Sequence, residues 1–379
     1  MAVTTKPITV LMSSTSYPEN LLDWKGLFIR HLTDGLARRN DVNLSLWAPK
    51  GETTAQVKYF PTERESVFLS SLMRDGGIAH LLRSHPLKAM TTVPRLLRGL
   101  NSAYSRAAEA DIYHVNWIQN ALPVPANGKP LVISVLGTDM QLLKLPLMKT
   151  MIRRICNQHP TVLCPNAEWM LSPLIEAFGD RCTVKAIPFG IDPQWYKIER
   201  SRPPQEQHVW LAVTRITKAK LGPILEWGLS AFENHTDRQL HLFGPMQENI
   251  ILPAWVHYHG PASPEDLCKN WFPRATGLIT LSRHAEGRPQ VMLEAMAAGL
   301  PIIASRLPAH KNIIGPSEAG RFCDSPHELL TSIQHFEDAE ANCQTGLLGR
   351  EWVRTEIGTW DDCAERFYSV YKQLIAENA

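Results

Sequence analysis

"LITLSRHAEGRPQVMLEAMAAGLPIIAS", residues 278–305, decides how the chain is read. Its two ends, "LITL" and "LPIIAS", are short apolar runs of strand length. Between them "VMLEAMAAG" reads as a helix closed by Gly299, with Pro301 just beyond, and "AEGRPQ" carries the glycine and proline of a loop. Strand, loop, helix and strand in that order belong to a parallel sheet with a helix laid on its face. The same rhythm runs outward in both directions. "ITVLM", "VNLSLW", "DIYHV", "LVISVL", "TVLC" and "VKAIPF" precede it, and "HVWLAVT", "QLHLF" and "WVHYHG" lead into it, separated mostly by helix-length segments. Continuous Val, Ile and Leu runs of this kind indicate sheets covered on both faces.

A chain of 379 residues exceeds one comfortable core and fits two domains with a cleft between them. The polar, proline-containing "ERSRPPQEQ" interrupts the pattern, so the boundary is expected near residue 200: a first domain over 1–199 and a second over 200–359. The final segment, 360–379, places Ala364, Phe367, Val370, Tyr371 and Leu374 on one helical face, which fits either domain. The fold class is therefore α/β, with two Rossmann-like domains whose parallel sheets face an interdomain cleft. Hydrophobic residues at 44% and a formal net charge of +2 fit a globular protein with no global attraction to nucleic acid. No secretory leader or run of membrane-spanning length is visible, and seven scattered cysteines without a Cys-x-x-Cys pair argue for reduced thiols, so a cytoplasmic protein is expected.

In open parallel sheets ligands sit beyond the carboxyl ends of the strands. That rule selects Gly26, His114, Asn116, Asp139 and Asn166 in the first half, and Arg215, Lys220, Gly244, Gly260 and the run Ser282 to Gln290 in the second. Glu286 falls in the loop and Glu294 about two turns into a helix that is apolar on nearly every side, so Glu294 needs a partner, for which ligand hydroxyls would serve. Arg215 and Lys220 follow a strand as two permanent cations, a clamp for a diphosphate or else a solvated basic loop. The chain holds no Asp-x-Asp, so protein cations would have to neutralise a leaving diphosphate without a metal. His114 is a candidate facing the cleft, and Asp139 either accepts a proton or sugar hydroxyl or simply starts a helix. Residues 76–106 contain five Lys or Arg, two His and no acid among Leu, Met and Val; they form either a solvated helix or a foot on an anionic membrane. The basic cluster "KLPLMKTMIRRIC" adds to the second reading.

Taken in order, "IPFGID", "VTRITKAKLG", "LHLFG", "VHYHG" and residues 278–305 resemble the retaining family-four glycosyltransferases of GT-B fold. The resemblance covers nearly the whole length and is strongest from Val209 to Ser305; in the first half it rests on "DIYHVNW", "LVISVLGTD" and the loop ending in Lys25-Gly26. It implies a nucleotide-sugar held mainly by the second domain, an acceptor by the first, and a terminal helix crossing back to the first. Arg215 and Lys220 match the diphosphate pair, Glu294 the ribose-binding glutamate and Glu286 the one facing the donor sugar. Ser282, Gly287, Arg288, Pro289, Gln290 and Val291 line the donor, where backbone N–H groups would meet sugar and phosphate. Gly244 belongs to the same donor site, and Gly26 matches the glycine that lets the N-terminal loop approach the phosphates. Asn116, Asp139 and Asn166 stay as acceptor-side candidates and His114 as a catalytic one. The chain departs from the family's more frequent residues at Lys25, Asn116, Leu136 and Arg288, which touches the acceptor and the choice of sugar more than donor binding.

The expected activity is retaining, metal-independent transfer of a hexosyl or N-acetylhexosaminyl group, without a cofactor. The donor is a nucleotide-diphosphate sugar, UDP favoured over GDP. The acceptor is a hydroxyl of a glycan or lipid-linked precursor of envelope polysaccharide, met in the cytoplasm or at the inner face of the plasma membrane. A nucleotide-sugar epimerase or sugar phosphorylase on the same fold, or a non-catalytic nucleotide-sugar-binding subunit, is the alternative.

Overall fold

The computed structural model describes residues 6–378, apart from 22, 24, 75, 77, 79, 80, 82–84 and 201–206. The chain forms two compact units, residues 1–189 with 360–379, and residues 190–359. In the first, β1 (Ile8–Ser13), β2 (Val42–Trp47), β3 (Val57–Tyr59), β4 (Ile112–Asn116), β5 (Leu131–Val135), β6 (Thr161–Pro165) and β7 (Thr183–Val184) form one sheet in the order 3-2-1-4-5-6-7. All its pairings are parallel. Every residue of β4, β5 and β6 is buried, as strands covered on both faces require. One face carries α2 (Glu63–Arg74), α3 (Pro86–Arg106), α4 (Met148–Gln158) and α5 (Leu171–Phe178), whose apolar sides join Leu11, Tyr113 and Ile133 in a single core.

The other face is covered by α1 (Leu27–Ala37) and by the helix at the far end of the chain, Trp360–Ala376. The expected stripe is present: Ala364, Phe367, Val370, Tyr371 and Leu374 are all buried. Gly35 of α1 makes the contact possible, because a Cβ there would stand 2.9 Å from the carbonyl oxygen of Trp360. Arg38 and Arg39 of the following turn add ion pairs to Asp361 and Glu365 at the surface.

In the second unit β8 (His208–Val213), β9 (Arg238–Phe243), β10 (Val256–Tyr258), β11 (Gly277–Thr280), β12 (Ile302–Ala304) and β13 (Gly320–Phe322) lie in the order 10-9-8-11-12-13, again all parallel. This is the doubly wound arrangement with its reversal point between β8 and β11. The stretch 278–305 supplies β11, α6 (Gln290–Ala297) and β12. Gly299 has φ of +78°, and the N–H groups of Gly299 and Leu300 donate to Met296 and Ala295 at 2.8 Å, so two of the orphan carbonyls at the end of α6 are satisfied. Beyond β12 come α7 (Pro308–Ser317), α8 (Pro326–Glu337) and α9 (Ala339–Trp352).

The units divide at Phe189 and Gly190, not near residue 200. Ile191, Trp195 and Ile198 bury into the same core as Leu293 and Met296, and Arg350 donates to the carbonyl of Ile198 at 3.3 Å. The polar "ERSRPPQEQ" marks a change of composition after these anchoring residues, and most of it, 201–206, lies outside the described residues. Residues 77, 79, 80 and 82–84 of the basic segment also lie outside them; the remainder is chiefly α3. No described helix is long and apolar enough to cross a membrane.

Replacing Phe367 by Ala removes a fully buried ring from the interface of the terminal helix with the first sheet. We expect a loss of about 3–5 kcal/mol, read from urea unfolding as a lower midpoint.

Candidate functional site

The winding of the chain through the second sheet reverses between the parallel strands β8 and β11, and the segments leaving those two strands carry most of the second-half residues selected from sequence. After β8 the chain passes through Arg215 and enters a short helix, Lys218–Leu221, capped by Thr217, whose Oγ1 accepts from the N–H of Lys220 at 3.2 Å. Three close approaches fix this turn. Gly244, after β9, has φ of +136°, and a Cβ on it would stand 1.7 Å from the carbonyl oxygen of Thr214. Gly222 has φ of +56° and comes as close to Leu281, where a Cβ would stand 1.8 Å from the carbonyl oxygen. The N–H of Arg283 donates to Ala219 at 2.8 Å. Only glycine accepts both the positive φ and the approach.

These contacts bring Lys220 against the loop after β11. Its Nζ lies 2.7 Å from Oε1 of Glu286, and each side chain is 14% exposed. Burial lowers the pKa of Lys220, the neighbouring guanidinium of Arg215 adds to that, and Glu286 opposes it. The cation is thus held charged in a poorly solvated place by one carboxylate. Ser282 is buried and spends both its groups on the loop: Oγ accepts from the N–H of His284 at 3.1 Å, and its carbonyl accepts from Ser305 at 2.6 Å. Gly287, Arg288 and Pro289 are buried. Gln290, the first residue of α6, donates through Nε2 to Gly190 at 2.8 Å, and Val291 is half-buried.

Glu294 is half-buried on the second turn of α6, and its carboxylate has no hydrogen bond or ion pair among the described residues. Burial pushes its pKa up to about 7, and the nearby Asp192 carboxylate raises it further. A carboxyl group carried at this cost marks Glu294 as a candidate for binding a ligand that donates hydrogen bonds to it. His310, on α7, was not among the residues selected from sequence. It is fully buried, its Nδ1 lies 2.9 Å from the Ser305 carbonyl oxygen, and its electrostatic neighbours include Glu286 and Lys220. The rule that picked residues after strand ends would have reached it had it been applied past β12, since "PAHKN" follows Ala304 by a few positions.

The first unit treats its candidates differently. His114 is not an accessible group: its ring is fully buried, with Nδ1 2.5 Å from the Tyr371 hydroxyl and Nε2 2.8 Å from Ser134 Oγ. Burial drops its pKa to about 3, so it is a neutral core histidine with both nitrogens occupied. The expectation that it faces a cleft is corrected by the terminal helix, which covers that face of β4 with Phe367 and Tyr371. Asp139 opens a short helix and is buried; its Oδ2 accepts from Leu136 N at 2.9 Å and Ile118 N at 3.4 Å, clamping two loops together. Burial raises its pKa to about 7 despite those bonds. Asn116 donates to the Ser13 carbonyl at 3.2 Å, while the buried Oδ1 atoms of Asn116 and Asn166 have no partner among the described residues. Gly26 caps α1 at φ +74°, and a Cβ there would meet Ser16 at 2.8 Å.

The two titrations have opposite signs. His114 protonates in the unfolded chain near 6.5 but resists it when folded, so stability is lost as pH falls below that value toward 3. Glu294 ionises near 4.5 unfolded and near 7 folded, so its contribution is lost as pH rises across that window. Glu294→Gln should therefore raise the urea midpoint at about pH 8 and leave it nearly unchanged at about pH 4. His114→Ala should cost about 2–4 kcal/mol at neutral pH, read the same way.

Residues 211–337, which include Arg215, Lys220, Glu286 and Glu294, match the family model described as Glycosyl transferases group 1. A curated relative, the D-inositol 3-phosphate glycosyltransferase of Corynebacterium glutamicum (strain R), is 25% identical over 258 residues, 59% of this chain. The match spans 61% of that relative's length. Among solved structures, sucrose-phosphate synthase from Thermosynechococcus elongatus superposes with a TM-score of 0.71 at 17% identity, covering 98% of this chain and all of the other. HepE of Anabaena in complex with UDP and glucose gives 0.65 at 14%, covering 97% and 100%. The E. coli structure bound with UDP-2-fluoro glucose gives 0.68 at 11%, covering 96% and 99%. The chain thus has the GT-B fold, carries a match to the group 1 glycosyl transferases across its second sheet, and resembles the GT-B glycosyltransferases as a whole.

Proposed function

We propose that this chain is a retaining glycosyltransferase that moves a hexosyl or N-acetylhexosaminyl group from a nucleotide-diphosphate sugar to a hydroxyl of a glycan or lipid-linked acceptor. The observation that carries the reading is the 2.7 Å contact between Lys220 and Glu286. It joins the residue that the resemblance assigns to the diphosphate with the one it assigns to the donor sugar. Glu294, on the adjoining helix and with no partner among the described residues, supplies the acceptor of hydrogen bonds that a ribose would satisfy. UDP is the favoured nucleotide, as in the complexes of the similar folds from Anabaena and E. coli. The acceptor belongs to envelope polysaccharide assembly at the cytoplasmic face of the plasma membrane.

In this reading the bond from the anomeric carbon to the diphosphate breaks, its electron pair leaving with the phosphate oxygen. The acceptor oxygen forms its bond on the same face, and its proton passes to the departing diphosphate. No enzymic nucleophile is required. Arg215 and Lys220 stabilise the charge that develops on the leaving group, in a half-buried place where such a term is large. Glu286 orients the sugar and holds Lys220 charged before the donor arrives. His114 takes no part, since both its ring nitrogens are engaged inside the core.

A panel of UDP- and GDP-sugars screened by thermal shift identifies the donor, because a ligand that binds the folded state raises Tm. With that donor, Lys220→Ala and Arg215→Ala should each lower transfer by about 100-fold or more. His114→Asn should leave turnover per folded molecule within about threefold, well short of the loss expected on removing a general acid or base. Transfer by Lys220→Ala at the wild-type rate would refute the assignment of the diphosphate site.

A further inference from the structure

The first unit exposes a group of large apolar side chains whose place in the fold gives them a common direction. Leu87 (82% exposed) and Met90 lie on the first turns of α3; Leu145, Leu147 (71% exposed) and Met151 lie just before and on the first turn of α4. Both helices pack on one face of the sheet, since Leu96, Leu100 and Ala103 share a core with Ile152 and Ile155. Each leads directly into a strand, α3 into β4 and α4 into β6, and so runs antiparallel to the strands. Their first turns therefore lie at the carboxyl edge of the sheet. With 21 residues, α3 is about 30 Å long against about 17 Å for the five-residue β4. Its first two turns run on past that edge.

The charge carried by the two stretches that hold these side chains is of one sign, although Arg153 of α4 pairs with Asp180 from beyond them. Residues 76–108 and 140–167 contain no Asp or Glu, in a chain whose net charge is only +2. Lys88, Arg95 and Arg98 on α3, and Lys144, Lys149 and Arg154 at α4, are all exposed. Leu147 supplies an independent observation. It caps α4 in the left-handed region at φ +65°, where a non-glycine residue is strained, and its side chain points into solvent. Asn or Gly would suit the backbone better there, so the fold gains nothing from this leucine.

We propose that the first turns of α3 and α4 form a peripheral docking surface for an anionic lipid bilayer, Leu87, Met90, Leu145, Leu147 and Met151 entering the interface and the flanking cations meeting lipid headgroups. Apolar insertion ringed by cations is the pattern that binds anionic membranes, whereas a protein interface is depleted of lysine at its core. The inference deepens the proposed function by naming the surface on which a lipid-linked acceptor is met, but it stands on the first unit alone.

Flotation with vesicles of phosphatidylcholine, with and without phosphatidylglycerol at about one part in four, tests it on the full chain without donor or acceptor, so its outcome is separate from that of the transfer assays. Binding should be at least about tenfold tighter to the anionic vesicles and should weaken as salt rises from about 0.1 to 0.5 M. Lys149→Ser with Arg154→Ser should weaken it about tenfold or more. Leu147→Asn should weaken it by about tenfold while Tm stays equal or rises, which separates loss of a membrane anchor from loss of fold. Equal partition into neutral and anionic vesicles would overturn the proposal. So would unchanged binding of both variants, or sedimentation velocity showing these side chains buried in a dimer that Leu147→Asn dissociates.

Discussion

A parallel sheet cannot be closed by hairpins, and most of what this molecule does follows from that constraint. Every strand must be followed by a segment that returns to the starting edge, so the carboxyl ends of all strands emerge on one side. Both sheets obey it, and in the second the reversal between β8 and β11 leaves a gap in the coverage where two loops diverge. Arg215 stands on one of those loops and Lys220 on the short helix it leads into, with Ser282 and Glu286 on the other loop. These candidate groups are not scattered over a surface; they collect where the winding of the chain leaves room.

What holds them there works against stability. Lys220 is a cation in a place that disfavours charge, kept ionised by Glu286, and removing either partner of such a pair leaves the other exposed to the full desolvation cost. Glu294 has no partner among the described residues, and Asp192 adds repulsion. A sequence shaped for stability alone would place Gln or Leu at 294. The donor, if it is a nucleotide-sugar as proposed, satisfies both groups at once: its diphosphate takes up Lys220 and its ribose hydroxyls meet Glu294. Binding and folding are thereby coupled through the same side chains.

The sheets were legible in the sequence because strands buried on both faces are written as unbroken Val, Ile and Leu runs, and because Gly299 and Pro301 punctuate α6. Glu294 was legible for a related reason: one charge in an otherwise apolar helix has to be explained. The contact between Lys220 and Glu286 was not, since it depends on Gly222 and Gly244 letting loops approach backbone carbonyls, and a glycine in a sequence does not say what it approaches. His114 misled for a different reason. It was read as ending a strand, but it is the middle residue of β4, and the face of the strand it occupies is covered by Tyr371 and Phe367, which lie at the far end of the chain. The boundary near 200 followed composition, whereas Trp195 and Ile198 had already committed the backbone to the second core.

The first unit is assembled from two separated stretches, with the whole second unit inserted between them. This has a consequence in time. As the chain leaves the ribosome, residues 190–359 are complete and free to fold before Trp360–Ala376 has been made. Until then the face of the first sheet that receives Phe367, Tyr371 and Leu374 is bare, with Val10, Ile112 and Val132 uncovered. The unit begun first is therefore finished last, and the interval in between is when this protein most needs protection from aggregation.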